Sequence, residues 1–159
     1  MGHSTKYTRI LVPVDGTEET LRAVRLAGEL ACATQSIVDL LYVSPFDEST
    51  DEGDVPWLPR SVVRPAAEEA HEIFIGAESL LPDNISSVRH HRTGAPADEI
   101  LQFIDEMGSG LVVIGRRKRS RVRGMLLGSV TQTVLEHAHS SVMVAGSADS
   151  LLYGSCSVK

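Results

Sequence analysis

The sequence predicts a single-domain α/β fold of three layers, a parallel sheet covered by helices on both faces. Short apolar runs rich in Val, Ile and Leu alternate with longer segments whose apolar residues recur at helical spacing. Each of these segments is long enough for a crossover that returns the chain parallel to the previous strand. Unbroken apolar runs are typical of strands buried on both faces. We therefore expect five parallel strands and about four helices.

The first two strands and the first helix follow from the opening third of the chain. The strand at residues 10–14 ends at Asp15, and Thr17 is the predicted N-cap of a helix that reaches Ala31. A second apolar run at residues 37–43 predicts the next strand. Aspartate is common in turns before glycine, so Asp15 could be a turn residue. It also follows a strand end, where a parallel sheet binds ligands.

An acidic connection separates the second strand from the next helix. Residues 45–62 contain five carboxylates, three prolines and the only tryptophan, Trp57. A solvated loop and a lid or docking segment anchored by Trp57 are both compatible with this composition. After it, the periodicity predicts a helix at 66–81, a more polar edge strand at 85–92 and a helix at 97–107.

The segment after the fourth strand, residues 111–114, has the layout of an anion site. The strand stops at Gly115, and six of the fifteen basic residues of the chain fall within positions 116–123. Gly128 and Ser129 then begin the last predicted helix, which leads to a strand at 142–145. Backbone N–H groups and the positive end of a helix dipole bind anions. A phosphate site, a solvated charge cluster and a nucleic acid patch remain open at this point.

Several classes of function find no support in the sequence. The net charge of −6 opposes binding to nucleic acid, and no apolar run is long enough for a membrane span. The histidines and the two cysteines match no metal-ligand spacing, and no serine, threonine or cysteine has a recognisable base partner. The common Gly-rich phosphate motifs do not occur in the right context. We expect a cytoplasmic binding protein without a metal, a membrane contact or a nucleic acid partner.

Three separated segments resemble the universal stress protein family, in the family's order. They are the first strand and turn, the segment before the third helix, and the C-terminal half. In this chain they read ILVPVDGTEET (10–20), RTGAPADEIL (92–101), and LVVIG (111–115) with LLGSVTQTVLEHAHSSVMVA (126–145).

The resemblance implies boundaries, a topology and an assembly. It covers roughly residues 8–146, which we expect to form the domain between an N-terminal extension at 1–7 and a polar tail at 147–159. It implies a sheet in the strand order 3-2-1-4-5. It also implies a homodimer paired through the last strand, 142–145.

One branch of the family binds ATP through a Gly-x2-Gly-x9-Gly-Ser/Thr motif, and most of that motif is present here. Gly115 matches its first glycine and Gly128-Ser129 its last pair, whereas Lys118 stands where the second glycine would be. A lysine restricts the backbone where glycine does not, but its ammonium favours a phosphate. The resemblance thus leaves nucleotide binding and its absence both open.

By resemblance, the nucleotide site would have an apolar base pocket and a phosphate-binding helix start. Asp15 would lie against the adenine or ribose edge, Ile114 would form the floor of the base pocket, and the first amides of the last helix would hold phosphate. The expected site residues are Pro13, Val14, Asp15, Val43, Ile114, Gly115, Arg117, Lys118, Gly128, Ser129 and Val130.

The resulting hypothesis is a dimeric stress-response module for binding and signalling. Its cleft would take ATP or AMP, with Mg²⁺ if the ligand is ATP. The alternative is a family member that binds no nucleotide and contacts an unknown protein partner through its acidic and basic loops. ATP hydrolysis would be weak at most, because no residue is identifiable as its base.

Overall fold

The computed structural model describes residues 7–44, 66–116 and 127–146. The acidic segment 45–62, the basic positions 117–123 and the polar tail 147–159 lie outside the described residues, as do residues 1–6 of the N-terminal extension. The strands are β1 (Arg9–Pro13), β2 (Ile37–Ser44), β3 (Ser87–Thr93), β4 (Leu111–Gly115) and β5 (Ser141–Ala145), and the helices are α1 (Glu18–Thr34), α2 (Ala66–Glu78), α3 (Pro96–Met107) and α4 (Ser129–His137).

The strands form one sheet in the order β3-β2-β1-β4-β5, and every neighbouring pair is parallel. The predicted fold class and strand order are therefore confirmed. The order reverses direction between β1 and β4, and an open sheet of this kind offers a crevice at that point, beyond the carboxyl ends of its strands. Within the described residues, no helix is long and apolar enough to cross a membrane.

Side chains alternate between the two faces of the sheet and build two cores. On one face, Val12, Leu40 and Val113 belong to the cluster that also contains Val24 and Phe74 of α1 and α2. On the other, Leu11, Leu41 and Val112 pack in the cluster of Phe103 and Val134, from α3 and α4. The central strands are thus buried on both faces, which explains why their sequences are almost entirely apolar.

Most element boundaries differ from the sequence prediction by one to three residues; β1, for example, was predicted to end at Val14 and ends at Pro13. Two of the differences have clear local reasons. The second helix was expected to reach residue 81 but ends at Glu78, because the Leu80 and Leu81 amides bond to carbonyls only three residues back, ahead of Pro82. The third helix is predicted to begin at residue 97, after Pro96. Instead Pro96 is the first residue of α3, where a missing N–H costs nothing.

A charged group lies in the middle of the apolar run of β2. Asp39 is fully buried, and its Oδ2 accepts a hydrogen bond from Arg9 Nε at 2.8 Å while Arg9 Nη2 contacts its Oδ1 at 2.5 Å. His90 Nε2 lies 2.8 Å from the same Oδ1. A single carboxylate thereby joins β1, β2 and β3 by side-chain contacts.

We expect Arg9→Met to lower the free energy of unfolding by about 3 kcal/mol, because it leaves a buried carboxylate without its cation. The double variant Arg9→Met/Asp39→Leu should recover most of this loss, since it removes both charges together. Urea unfolding of the three proteins measures both effects. A single variant as stable as the wild type would contradict this role for the pair.

Candidate functional site

A cleft of about 340 Å³ opens at the carboxyl ends of β1, β2 and β4. It lies at the reversal of strand order, between the starts of α1 and α4. The residues that line it are Pro13, Val14, Asp15, Thr17, Glu19, Thr20, Leu41, Tyr42, Val43, Glu69, Pro96, Ile100, Ile114, Gly115, Gly128, Ser129, Val130 and Thr131.

The structure brings nine of the eleven expected site residues together in this cleft. The other two, Arg117 and Lys118, lie outside the described residues. The nine come from four segments that are far apart in sequence, so the fold alone gathers them. Their part in binding a ligand remains a prediction at this point.

The backbone of Val43 forms one edge of the cleft. The backbone groups of odd-numbered residues in β2 hydrogen-bond toward β1; for example, Val14 N–H donates to Leu41 O at 2.9 Å. Those of even-numbered residues hydrogen-bond toward β3; for example, Gly94 N–H donates to Ser44 O at 2.9 Å. Val43 therefore faces the β1 side, but β1 ends at Pro13. Among the described residues no backbone group bonds to Val43 on that side, so its N–H and C=O are directed toward the cleft.

Asp15 holds the turn that takes the chain away from the sheet. Its Oδ1 accepts hydrogen bonds from the Thr17 amide at 2.9 Å and from the hydroxyls of Thr17 at 2.6 Å and Thr20 at 3.0 Å. The next residue, Gly16, has φ +78°, which favours glycine. Thr17 is the N-cap as expected, but it makes no side-chain cap, since its hydroxyl is committed to Asp15. Within the described chain Oδ2 accepts no hydrogen bond and remains available to a ligand.

Gly115 lets the start of α1 approach the end of β4. A Cβ atom at this position would lie 2.6 Å from Glu19 O and 2.9 Å from Thr20 N, both of them backbone atoms. On its other side the Gly115 carbonyl accepts a hydrogen bond from Thr131 Oγ1 at 3.2 Å. The starts of α1 and α4, which border the cleft, thus both contact Gly115.

The start of α4 lines the cleft, and its first amides have no backbone partner among the residues that the structure describes. Gly128 is its N-cap, with φ −71° and ψ 158°, and the first turn contains no acidic residue. The first amides of an α-helix, here those of Ser129 and Val130, have no partner within the helix. Gly128 is buried and Ser129 is exposed. This end of the cleft can accept an anion.

Tyr42 and Glu69 also line the cleft, although neither is among the site residues expected from the sequence. Burial raises the pKa of the Tyr42 phenol to about 12, and the negative charges of Glu69 and Asp15 act in the same direction. The phenol therefore remains protonated at neutral pH. The contribution that this raised pKa makes to the free energy of unfolding is fully present below pH 10, and it is lost as the pH rises toward 12. Tyr42 could have been noticed as the polar neighbour of Val43, but no sequence signal marks Glu69.

The described residues contain no group of three or more His, Cys, Asp or Glu side chains that could hold a metal ion. The charged side chains that line the described cleft are Asp15, Glu19 and Glu69. The described cleft therefore has carboxylate acceptors at the starts of α1 and α2 and helix amides at the start of α4.

Comparison with known proteins places this geometry in a family. The model of the universal stress protein family matches residues 6–146. Universal stress protein G of Escherichia coli O157:H7 is 32% identical over 144 residues, which cover 87% of this chain and 98% of that protein.

Two solved structures with nucleotides are similar to this chain. A universal stress protein in complex with cAMP superposes with a TM-score of 0.62 at 25% identity, over 87% of this chain and 95% of that one. A universal stress protein of Archaeoglobus fulgidus in complex with dAMP has a TM-score of 0.61 at 23% identity, over 88% of this chain and 98% of that one. At that identity the second likeness supports the fold alone.

We expect Gly115→Ala to lower the free energy of unfolding by about 2 kcal/mol, because the new methyl group meets backbone that is held in a helix. Gly76→Ala is the matched control. A Cβ atom at Gly76 of α2 meets nothing within 4 Å, so this change should raise stability by up to about 1 kcal/mol. Thermal or urea unfolding compares the two, and equal effects would refute the packing role of Gly115.

Proposed function

The chain belongs to the universal stress protein family, and from that premise we propose that it is a nucleotide-binding module whose cleft takes ATP or AMP. The base would enter between the ends of β1 and β2, and the phosphate would lie at the start of α4. The single observation that supports this most is the pairing of two open backbone sites in one cleft. They are the edge of Val43 and the first amides of α4 at Ser129 and Val130, which have no backbone partner among the described residues.

The base end of the cleft has the chemistry that adenine requires. A flat apolar ring fits between apolar walls, which Val14, Leu41 and Ile114 supply. The N–H and C=O of Val43 offer a donor and an acceptor on one edge, matching the N1 acceptor and the 6-amino donor of adenine. Asp15 Oδ2 adds an acceptor beside them.

The phosphate end depends on α4 and on the segment before it. The N-terminal amides and the dipole of α4 favour an anion beside Gly128. Arg117 and Lys118 would add positive charge to this end, and their role stays a prediction because they lie outside the described residues. Mg²⁺ accompanying ATP is likewise a prediction. The cAMP bound to a protein that is 25% identical supports an adenine nucleotide as the ligand class.

We propose a homodimer paired through β5. This edge strand, SVMVA, contains no charged residue, and Met143 on it is 37% exposed. The opposite edge strand, β3, carries Arg89, His90, His91 and Arg92. Charges protect an edge from pairing, whereas an uncharged edge leaves its backbone available to a second copy. A cytoplasmic location and a protein partner remain predictions.

The nucleotide site is tested by isothermal calorimetry with AMP and ATP on protein freed of copurified ligand. We expect saturable binding, and we expect Gly128→Val to weaken it by about 10- to 100-fold, the value of one or two charge-assisted hydrogen bonds. The backbone of Gly128 has dihedral angles that valine also adopts, so the variant should keep its fold, which circular dichroism checks.

Lys118→Gly restores the glycine of the family motif and shows whether the lysine helps or hinders. No heat with either nucleotide at millimolar concentration would refute the proposal and would favour the alternative, a member of the family that acts through protein contacts.

The dimer is tested by analytical ultracentrifugation of wild-type protein and of Met143→Lys. We expect a dimer that the variant weakens at least about tenfold, since two lysines would meet across the paired edges. Val88→Lys, which places the same charge on an exposed residue of β3, should leave the dimer unchanged. A wild-type monomer, or equal effects of the two variants, would contradict pairing through β5.

A further inference from the structure

The acidic side chains of the cleft are all on one side of it. Within the described residues, the charged lining side chains are Asp15, Glu19 and Glu69, at the starts of α1 and α2. The first turn of α4, across the cleft, contains no acidic residue. A ligand with an anionic end and a hydrogen-bond-donating end is therefore oriented by the cleft itself.

We propose that Glu69 is a specificity-determining residue, which accepts a hydrogen bond from a ribose hydroxyl and so makes the cleft prefer ribonucleotides to deoxynucleotides. This inference rests on the proposed function, since it assumes that an adenine nucleotide occupies the cleft. It concerns a residue of α2, a helix that the expected site did not include.

The other parts of a nucleotide fit Glu69 less well. A phosphate would be repelled by the carboxylate and has the amides of Ser129 and Val130 instead. The base is apolar on its faces, and Val43 already offers both a donor and an acceptor to its edge. The ribose lies between base and phosphate and carries donors that remain near solvent. Glu69 is exposed and lines the cleft, which suits the ribose.

Tyr42 is the positioning residue for this carboxylate. The phenol is only 6% exposed and is anchored in β2, one residue before Val43. Tyr42 and Glu69 line the same cleft, and Glu69 contributes to the raised pKa of the phenol. A neutral phenol next to a carboxylate is a possible donor to it, and a carboxylate accepts more than one hydrogen bond, so Glu69 keeps capacity for a ribose hydroxyl. Such a neighbour would limit the rotamers of Glu69 before the ligand binds.

The test compares AMP, 2′-deoxyAMP and 3′-deoxyAMP by calorimetry in wild-type protein and in Glu69→Gln. We expect at least one deoxy analogue to bind the wild type about tenfold more weakly than AMP, the value of a hydrogen bond to a charged acceptor. In Glu69→Gln the affinity for AMP should fall, and AMP and the deoxy analogue should bind with nearly equal affinity. Inosine monophosphate, which differs from AMP only in the base, should bind more weakly than AMP by the same factor in both proteins.

Glu68→Gln is the matched control, because Glu68 is in the same first turn of α2, is also exposed, and is not among the cleft residues. It makes the same change in net charge and should leave the ribose preference unchanged. Tyr42→Phe should reduce the preference less than Glu69→Gln does, since it removes a neighbouring hydroxyl and leaves the carboxylate in place.

The outcomes separate this inference from the proposed function. Equal binding of AMP and both deoxy analogues by the wild type, or a gap that survives intact in Glu69→Gln, would overturn the role of Glu69 while nucleotide binding stands. Absence of AMP binding by the wild type would overturn both.

Discussion

The departure of β1 from the sheet at Asp15 is the constraint on which the cleft depends. β2 continues to Ser44, whereas β1 ends at Pro13, so the backbone of Val43 has no strand beside it on the β1 side. The side chain of Asp15 secures this departure by accepting three hydrogen bonds from Thr17 and Thr20. If β1 ran two residues further, the ladder would close and the cleft would lose its donor and acceptor edge.

The rest of the structure fixes this opening in place. Gly115 permits the contact between the start of α1 and the end of β4, and Thr131 ties the start of α4 to the same residue. Behind the cleft, Asp39 joins β1 to β2 and β3 by its contacts with Arg9 and His90. The cleft is therefore bounded by backbone that packing holds rigid, and a preorganised site of this kind loses little entropy when it binds.

The fold could be predicted almost completely from the sequence, because unbroken apolar runs and helical periodicity are strong local signals. The strand order came from the family resemblance and not from periodicity. The residues at strand ends, Asp15 and Gly115, were recognisable as site candidates for the same topological reason. Glu69 and Thr131 were not, since a polar residue in the first turn of a helix resembles any solvated position until the fold brings it to the cleft. Asp39 was also missed, because a carboxylate within an apolar run gives no sign of its partners, which lie 30 and 51 residues away.

The most direct test of the central claim, that one cleft joins the open edge of β2 to the start of α4, is an amide NMR titration with AMP. We predict that the largest shifts occur at Val43, Ser129 and Val130 together, with smaller shifts around Asp15 and little change on β3. Shifts confined to other surfaces, or shifts at only one of the two ends of the cleft, would contradict it.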